Sequence, residues 1–345
     1  MKAKLTKRVG LAVSLFYLIT VIMTGQAKKE LYNYFHQYIG LSDTQIAAVS
    51  NGTVFVKELQ SPNPSEMILF GTVFVNSSPE NYLRLVGNID TLRKLPNVLA
   101  IQQFSTPPQL SDLSAFTLDS EDIEDLRACV PGNCGVQLPA EEMDKFKKSV
   151  DWSAKDVADQ VNSLAQKSAL EALIAYQQGG NDALGTYRDK NNPIRVSDQF
   201  QELVNQIKSL PVYLPEFRDY LLEYPKYRLP SVQDQFYWEK ISFGLKPTIR
   251  LVHAMLYQNA DDEIVYALKQ LYSSHYFHTS IDLTACVKAA DQAGFFLITV
   301  KASDQGGLTG LKGSMVRNVA VGRARKFLEN SLAGIKKTLE NQTAE

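Results

Sequence analysis

Side chains that carry most enzyme chemistry are scarce in this chain, which has four histidines and three cysteines in 345 residues. No GxSxG elbow is present, and the histidines have no partner pattern suggesting a triad, so the usual hydrolase signals are missing. The Gly-rich run "SDQGGLTGLKG" follows neither GxxxxGK[ST] nor GxGxxG. Nothing therefore points to phosphate cradling, and no cofactor is called for. "CVPGNC" has no further Cys or His at metal-ligand spacing, and haem attachment would need CxxCH. Blocks of Lys and Arg are also absent, and with them the field that nucleic-acid binding requires.

One long uncharged run is present, at the N-terminus. "MKAKLTKR" carries Lys2, Lys4, Lys7 and Arg8, "VGLAVSLFYLITVIM" follows without a charge, and "TGQA" ends in small and polar residues. That is the three-part layout of a secretory signal peptide over residues 1–27, with cleavage near Ala27. The apolar run is shorter than the ~20 residues a spanning helix needs. A retained N-terminal anchor is the alternative. The expected location is periplasmic or extracellular, with only transient membrane contact. Four of the 36 Lys+Arg fall in residues 1–27, leaving 32 against 37 Asp+Glu, a mildly acidic balance. An apolar share of 45% can fill a real core.

In an exported chain "CVPGNC" reads as a local disulfide between Cys129 and Cys134. Pro131-Gly132 favours a type II turn, because Gly accepts positive φ at the third position, and a tight turn brings the flanking residues within bridging distance. Cys286 lies in an apolar strand pattern and is expected as a buried free thiol.

Three stretches differ in period. In residues 28–105, Ser42 with Gln45 has capping-box spacing, and "NGTVFVKEL" and "EMILFGTVFVN" read as a hairpin. Ser78-Pro79-Glu80 then starts a helix whose Tyr82, Leu85, Val86, Ile89 and Leu92 form one stripe up to Pro96. "NVLAIQQF" extends again. Residues 106–234 are helical, with "SAKDVADQVNSLAQKSALEALIAYQQGG" the clearest case, stopped by Gly179-Gly180. Residues 235–345 give five strand-like runs joined by short links such as "NADD", which implies an antiparallel meander. One long helix, Ser314 to Glu340, closes the chain, with Val316, Val319, Ala320, Ala324, Phe327, Leu332, Ile335 and Leu339 as its apolar face.

This order of elements resembles the START-like helix-grip (SRPBCC-type) superfamily over residues 31–105 and 234–340, although the helical stretch is far longer than that fold needs. "LRACVPGNCGVQLP" is also similar to the central signature of uncharacterised exported bacterial proteins, which adds no function. The resemblance implies an α+β fold in which a curved antiparallel sheet grips the C-terminal helix, with an α-helical insertion and a ligand cavity between sheet and helix. The expected ligand is a hydrophobic small molecule or lipid, bound without turnover.

His253 shares a strand face with Ile249, Leu251, Met255 and Tyr257, and Tyr257, Tyr266 and Tyr272 offer hydroxyls of the type that orient a lipid head group. The candidate lining is Leu251, His253, Met255, Tyr257, Tyr266, Phe277, Phe296, Phe327 and Leu328. His275 and His278, three apart on a strand, point to opposite faces and do not suit a shared metal. Three alternatives stay open: the same elements packed solid with no cavity, an interaction protein docking a partner on the helical region, and an enzyme of the same fold.

Overall fold

The structure, a computed structural model, describes residues 29–242, 245–258, 264–306, 308 and 310–342. The signal-peptide stretch and the "NADD" link lie outside these residues.

The protein is α+β and built in three layers. At its centre is an eight-stranded antiparallel sheet in the order β1-β2-β10-β9-β8-β7-β6-β3. Its strands are β1 Phe55–Leu59, β2 Glu66–Val75, β3 Val98–Gln103, β6 Val232–Ile241, β7 Thr248–Gln258, β8 Ile264–Ser273, β9 Phe277–Lys288 and β10 Phe295–Gln305. Two-residue strands β4 Thr186–Tyr187 and β5 Ile194–Arg195 pair separately. Period-two patterning after Asp234 thus gives the meander β6 to β10, as the sequence implies. The hairpin β1–β2 joins it at β10, and β3 joins it at β6, on the opposite edge.

Local chemistry sets the N-terminal elements. In helix α1, Asp43–Ser50, the Ser42 and Gln45 side chains complete the capping box. Ser78 accepts from the Asn81 N–H at the start of α2, Pro79–Val86. The single helix expected up to Pro96 is two. α2 stops at Gly87, and the Asn88 side chain accepts from the Asp90 N–H at 2.9 Å to start α3, Ile89–Arg93.

One sheet face carries α2, α3 and the C-terminal helix. Val73, Val75 and Leu297 of the sheet meet Val321, Leu328, Leu332 and Leu339 of that helix, while Ile101, Val252 and Ala254 pack with Ile89 and Leu92. The C-terminal helix runs Gly310–Gln342, 33 residues or about 50 Å. Its buried line repeats in steps of seven and four, through Val321, Leu328, Leu332 and Leu339. Val316, Val319 and Phe327, expected on that line, are exposed. Phe327 is one residue, or about 100°, off it. Gly71 in mid-β2 lets the helix come close: a Cβ there would lie 2.7 Å from the Leu332 Cδ1 and 3.0 Å from the Leu328 Cδ2.

A layer made from residues 110–224 covers the other face, with α4 Ser120–Ala128, α5 Ala140–Ser149, α6 Val157–Gly179, α7 Val196–Gln206, α8 Leu210–Tyr213 and α9 Pro215–Glu223. The C-terminal helix is accordingly α10. Phe146, Leu173, Phe200, Leu203 and Phe217 pack on Ile249, Ile281, Ile298 and Trp238. α6 ends at Gly179-Gly180 as the sequence implies. Gly180 has φ 63°, and a side chain there would run into the Tyr224 carbonyl.

Candidate functional site

Alternation along β7 separates its side chains. Ile249, Leu251, Met255 and Tyr257 face the helical layer, while Val252 and Ala254 face α3. The shared face expected around His253 is therefore real, but α6 and its neighbours cover it rather than α10.

Under that layer lies a cavity of about 310 Å³. Its floor is Ile249, Leu251, Leu271 and Tyr272, and its walls are Phe116, Leu126, Val136, Leu138, Phe146, Ala165, Ala169 and Tyr176. It reaches the surface between α5 and α6, where Glu141, Glu171, Ala172 and Ala175 are exposed. Alanines on one side of α6 leave room that larger residues would fill.

The cysteine loop fixes one wall. Cys129 and Cys134 are disulfide-bonded, and the Asn133 N–H closes the turn on the Val130 carbonyl at 2.9 Å with Gly132 at φ 88°. Just beyond it, the buried Gln137 side chain donates to the Ser273 and Phe277 carbonyls at 3.0 and 2.9 Å. This holds Val136 and Leu138, its neighbours, against the cavity. His275 bridges the Gly135 carbonyl and the Asp122 carboxylate, each at 3.1 Å, and Lys246 reaches Asp122 and Asp125 at 2.7 Å. His278 instead meets Asp304 at 2.5 Å. The two histidines thus go to different partners, and among the described residues no group of three or more His, Cys, Asp or Glu side chains is arranged to hold a metal ion.

Tyr176 joins the cavity to a buried polar chain. The His253 Nε2–H donates to Asp234 at 2.7 Å, so Nδ1 accepts from the Tyr176 hydroxyl at 3.0 Å. Lys269 donates to the Tyr176 oxygen at 3.2 Å and to Asn181, and Tyr220 donates to Asp234 at 2.6 Å. Burial, partly offset by Asp234, lowers the pKa of His253. Lys269 is fully buried, over the Phe200 and Tyr176 rings at 4.1 and 4.9 Å, and desolvation holds its pKa well below the usual lysine value. This chain binds the helical layer to the sheet. It is also an ordered line of donors and acceptors from the cavity wall to Asp234, whose side chain is 29% exposed.

The nine candidate lining residues are not brought together. Leu251 alone lines the cavity. His253 belongs to the polar chain, Met255 packs in the same core, and Tyr257 stacks on Phe217 at 5.3 Å. Phe296 meets Phe35 and Phe74 edge-on beyond the cavity. Phe277 is half-buried, and its carbonyl receives Gln137. Tyr266 and Leu328 lie on the opposite face, and Phe327 is 51% exposed. Cys286 is a buried free thiol, as its strand pattern implies.

Sequence reasoning missed Tyr176, Lys269 and the placing of Tyr272. Lys269 had a readable signal, because it interrupts the apolar series Val265, Ala267 and Leu271 on one strand face. Tyr272 did not. The β7–β8 register jumps from Val252↔Gln270 to Leu251↔Tyr272, a bulge that carries Tyr272 onto the face alternation would deny it.

Fold and site together define a three-layer α+β protein whose apolar cavity sits between its sheet and its helical layer. No protein-family model, no curated protein and no solved structure matches the chain.

Proposed function

We propose that this is an exported protein that binds a small apolar molecule, without converting it, in the cavity between the sheet and α5–α6. The observation that carries the reading is the cavity itself. At about 310 Å³ it falls at the small end of ligand pockets, roughly 300–1,000 Å³, and it combines apolar walls with a few polar groups. Burying about 300 Å² of apolar surface at ~25 cal/mol per Å² supplies roughly 7 kcal/mol, an affinity near 10 µM before polar contacts. Export rests on the layout of residues 1–27. A START-like kinship would explain the gripped α10, but the cavity supported here lies on the other face of the sheet.

Native mass spectrometry of the protein from its own exported fraction tests the reading. A stoichiometric adduct of a few hundred daltons, lost on denaturation, is the expected result. A clean apo mass that also refuses lipid extracts would overturn it and favour a protein partner on the helical layer.

A further inference from the structure

The polar groups lining the cavity are Glu141, Glu142, Ser168, Glu171, Tyr176, Tyr187, Tyr272 and Ser274. Most are already engaged. Ser168 donates to Glu142 at 2.6 Å, and Lys145 reaches Glu171 at 2.7 Å and Glu142 at 3.5 Å. The Tyr187 oxygen accepts from the Ser273 N–H at 3.2 Å, and the Ser274 hydroxyl accepts from the Ile249 N–H at 3.0 Å. Tyr176 is held by His253 and Lys269. What remains is the Tyr272 hydroxyl on the floor, which has no hydrogen-bond partner among the described residues, and Glu141 at the rim, which has no ion-pair partner among them. Burial pushes the Tyr272 pKa well up, so its hydroxyl stays a neutral donor and acceptor.

Charge at the rim is one-signed. Glu141, Glu142 and Glu171 line it, the lining holds no Lys or Arg, and Lys145 alone bridges two of the three carboxylates. A ligand carboxylate would meet three like charges with only Lys145, already shared between two of them, as counter-ion, whereas an ammonium group would meet Glu141 unopposed.

Resting on the binding reading above, we propose that the ligand is a compact cationic amphiphile: an apolar body in the cavity, a protonated amine at the Glu141–Glu171 rim, and any inner hydroxyl or carbonyl on Tyr272. Fatty carboxylates are disfavoured by the same rim. The bulge at Leu271 is then the device that specifies the floor, since without it Leu251 would pair with Leu271 and Tyr272 would fall on the opposite face.

Titration calorimetry with octylamine, octanol and octanoate on the mature chain tests this. The expected order is amine, alcohol, carboxylate, with about tenfold or more between the first and last at low salt. Added salt and the Glu141→Gln/Glu171→Gln double variant should both shrink that ratio, because exposed charges are screened or removed. Tyr272→Phe should weaken octanol several-fold with an unchanged melting temperature. Octanoate binding as tightly as octylamine would overturn the cationic assignment and leave the cavity reading standing. Failure of all three to bind would overturn both. Gln variants that fold, confirmed by circular dichroism, yet keep the full amine preference would also refute the role of the rim.

Discussion

Ala169→Leu tests whether the space under α6 is real and accessible. Ala169 is buried and lines the cavity. In a close-packed interior the substitution would force side chains off their rotamers and lower stability by about 1–3 kcal/mol. In a cavity of about 310 Å³ the three added carbons have somewhere to go. At ~0.8 kcal/mol per buried CH₂ they contribute up to ~2.4 kcal/mol, less about 0.5–1 kcal/mol for the leucine rotamers fixed. The net is a gain of roughly 1.5 kcal/mol. With an unfolding entropy near 2.1 cal/mol/K per residue over ~300 residues, that raises Tm by about 2–3 °C. The same carbons occupy ligand space, so octylamine affinity should fall by about tenfold or more. Scanning calorimetry and the titration above read both quantities on one sample. A lower Tm with unchanged binding would refute the cavity as drawn, because the leucine would then be straining a packed site away from the ligand.

Further outcomes follow from the two faces of the sheet. Gly71→Val puts a branched side chain against Leu328 and Leu332 and should cost about 1–3 kcal/mol in urea unfolding, with α10 displaced. An unchanged midpoint would show that α10 does not dock there. Replacing Cys129 and Cys134 by serine opens a loop of sequence separation 5 and should lower stability by about 2 kcal/mol, read by the same denaturation. Desolvation holds the folded pKa of Lys269 well below the free lysine value near 10.4, so between the two the unfolded chain binds more protons. Stability should rise with pH on the approach to that free value by up to about 1.4 kcal/mol per pH unit from this group, and Lys269→Met should remove that slope. Equal slopes in both proteins would mean that Lys269 keeps its proton in the fold. His253, whose folded pKa is depressed, adds stability that is complete above the free value near 6.5 and declines as pH falls below it. The decline should be smaller in His253→Gln.

Much of the architecture was legible because local rules and tertiary structure agree. Ser42, Ser78 and Gly179-Gly180 mark helix ends wherever they sit, and strand alternation after Asp234 survives any partner. The site was less legible because periodicity says which residues share a face and not what covers it. His253 and Leu251 were correctly grouped, but the covering layer is made of residues 110–224, distant in sequence. Phe327 and Leu328 adjoin on a helix whose apolar residues run most of the way round, so only docking on Gly71 decides which is buried. Tyr272 depends on a one-residue bulge that leaves no trace in composition.

The strand order also dictates when this chain can become a protein. β2 lies beside β10, with Ser65 bonded to Asp304 across a separation of 239 residues, and β3 waits for β6 on the far edge. Between them α2 and α3 carry the chain from β2 to the far edge, spanning six strand spacings or ~29 Å. Beyond the β1–β2 hairpin, the strands of the first hundred residues therefore have no partner until β6 and β10 exist. Such long-range closure makes folding slow and late, since loop entropy is spent before contacts reward it. A chain built this way cannot complete its sheet until its last strand, β10, has been made.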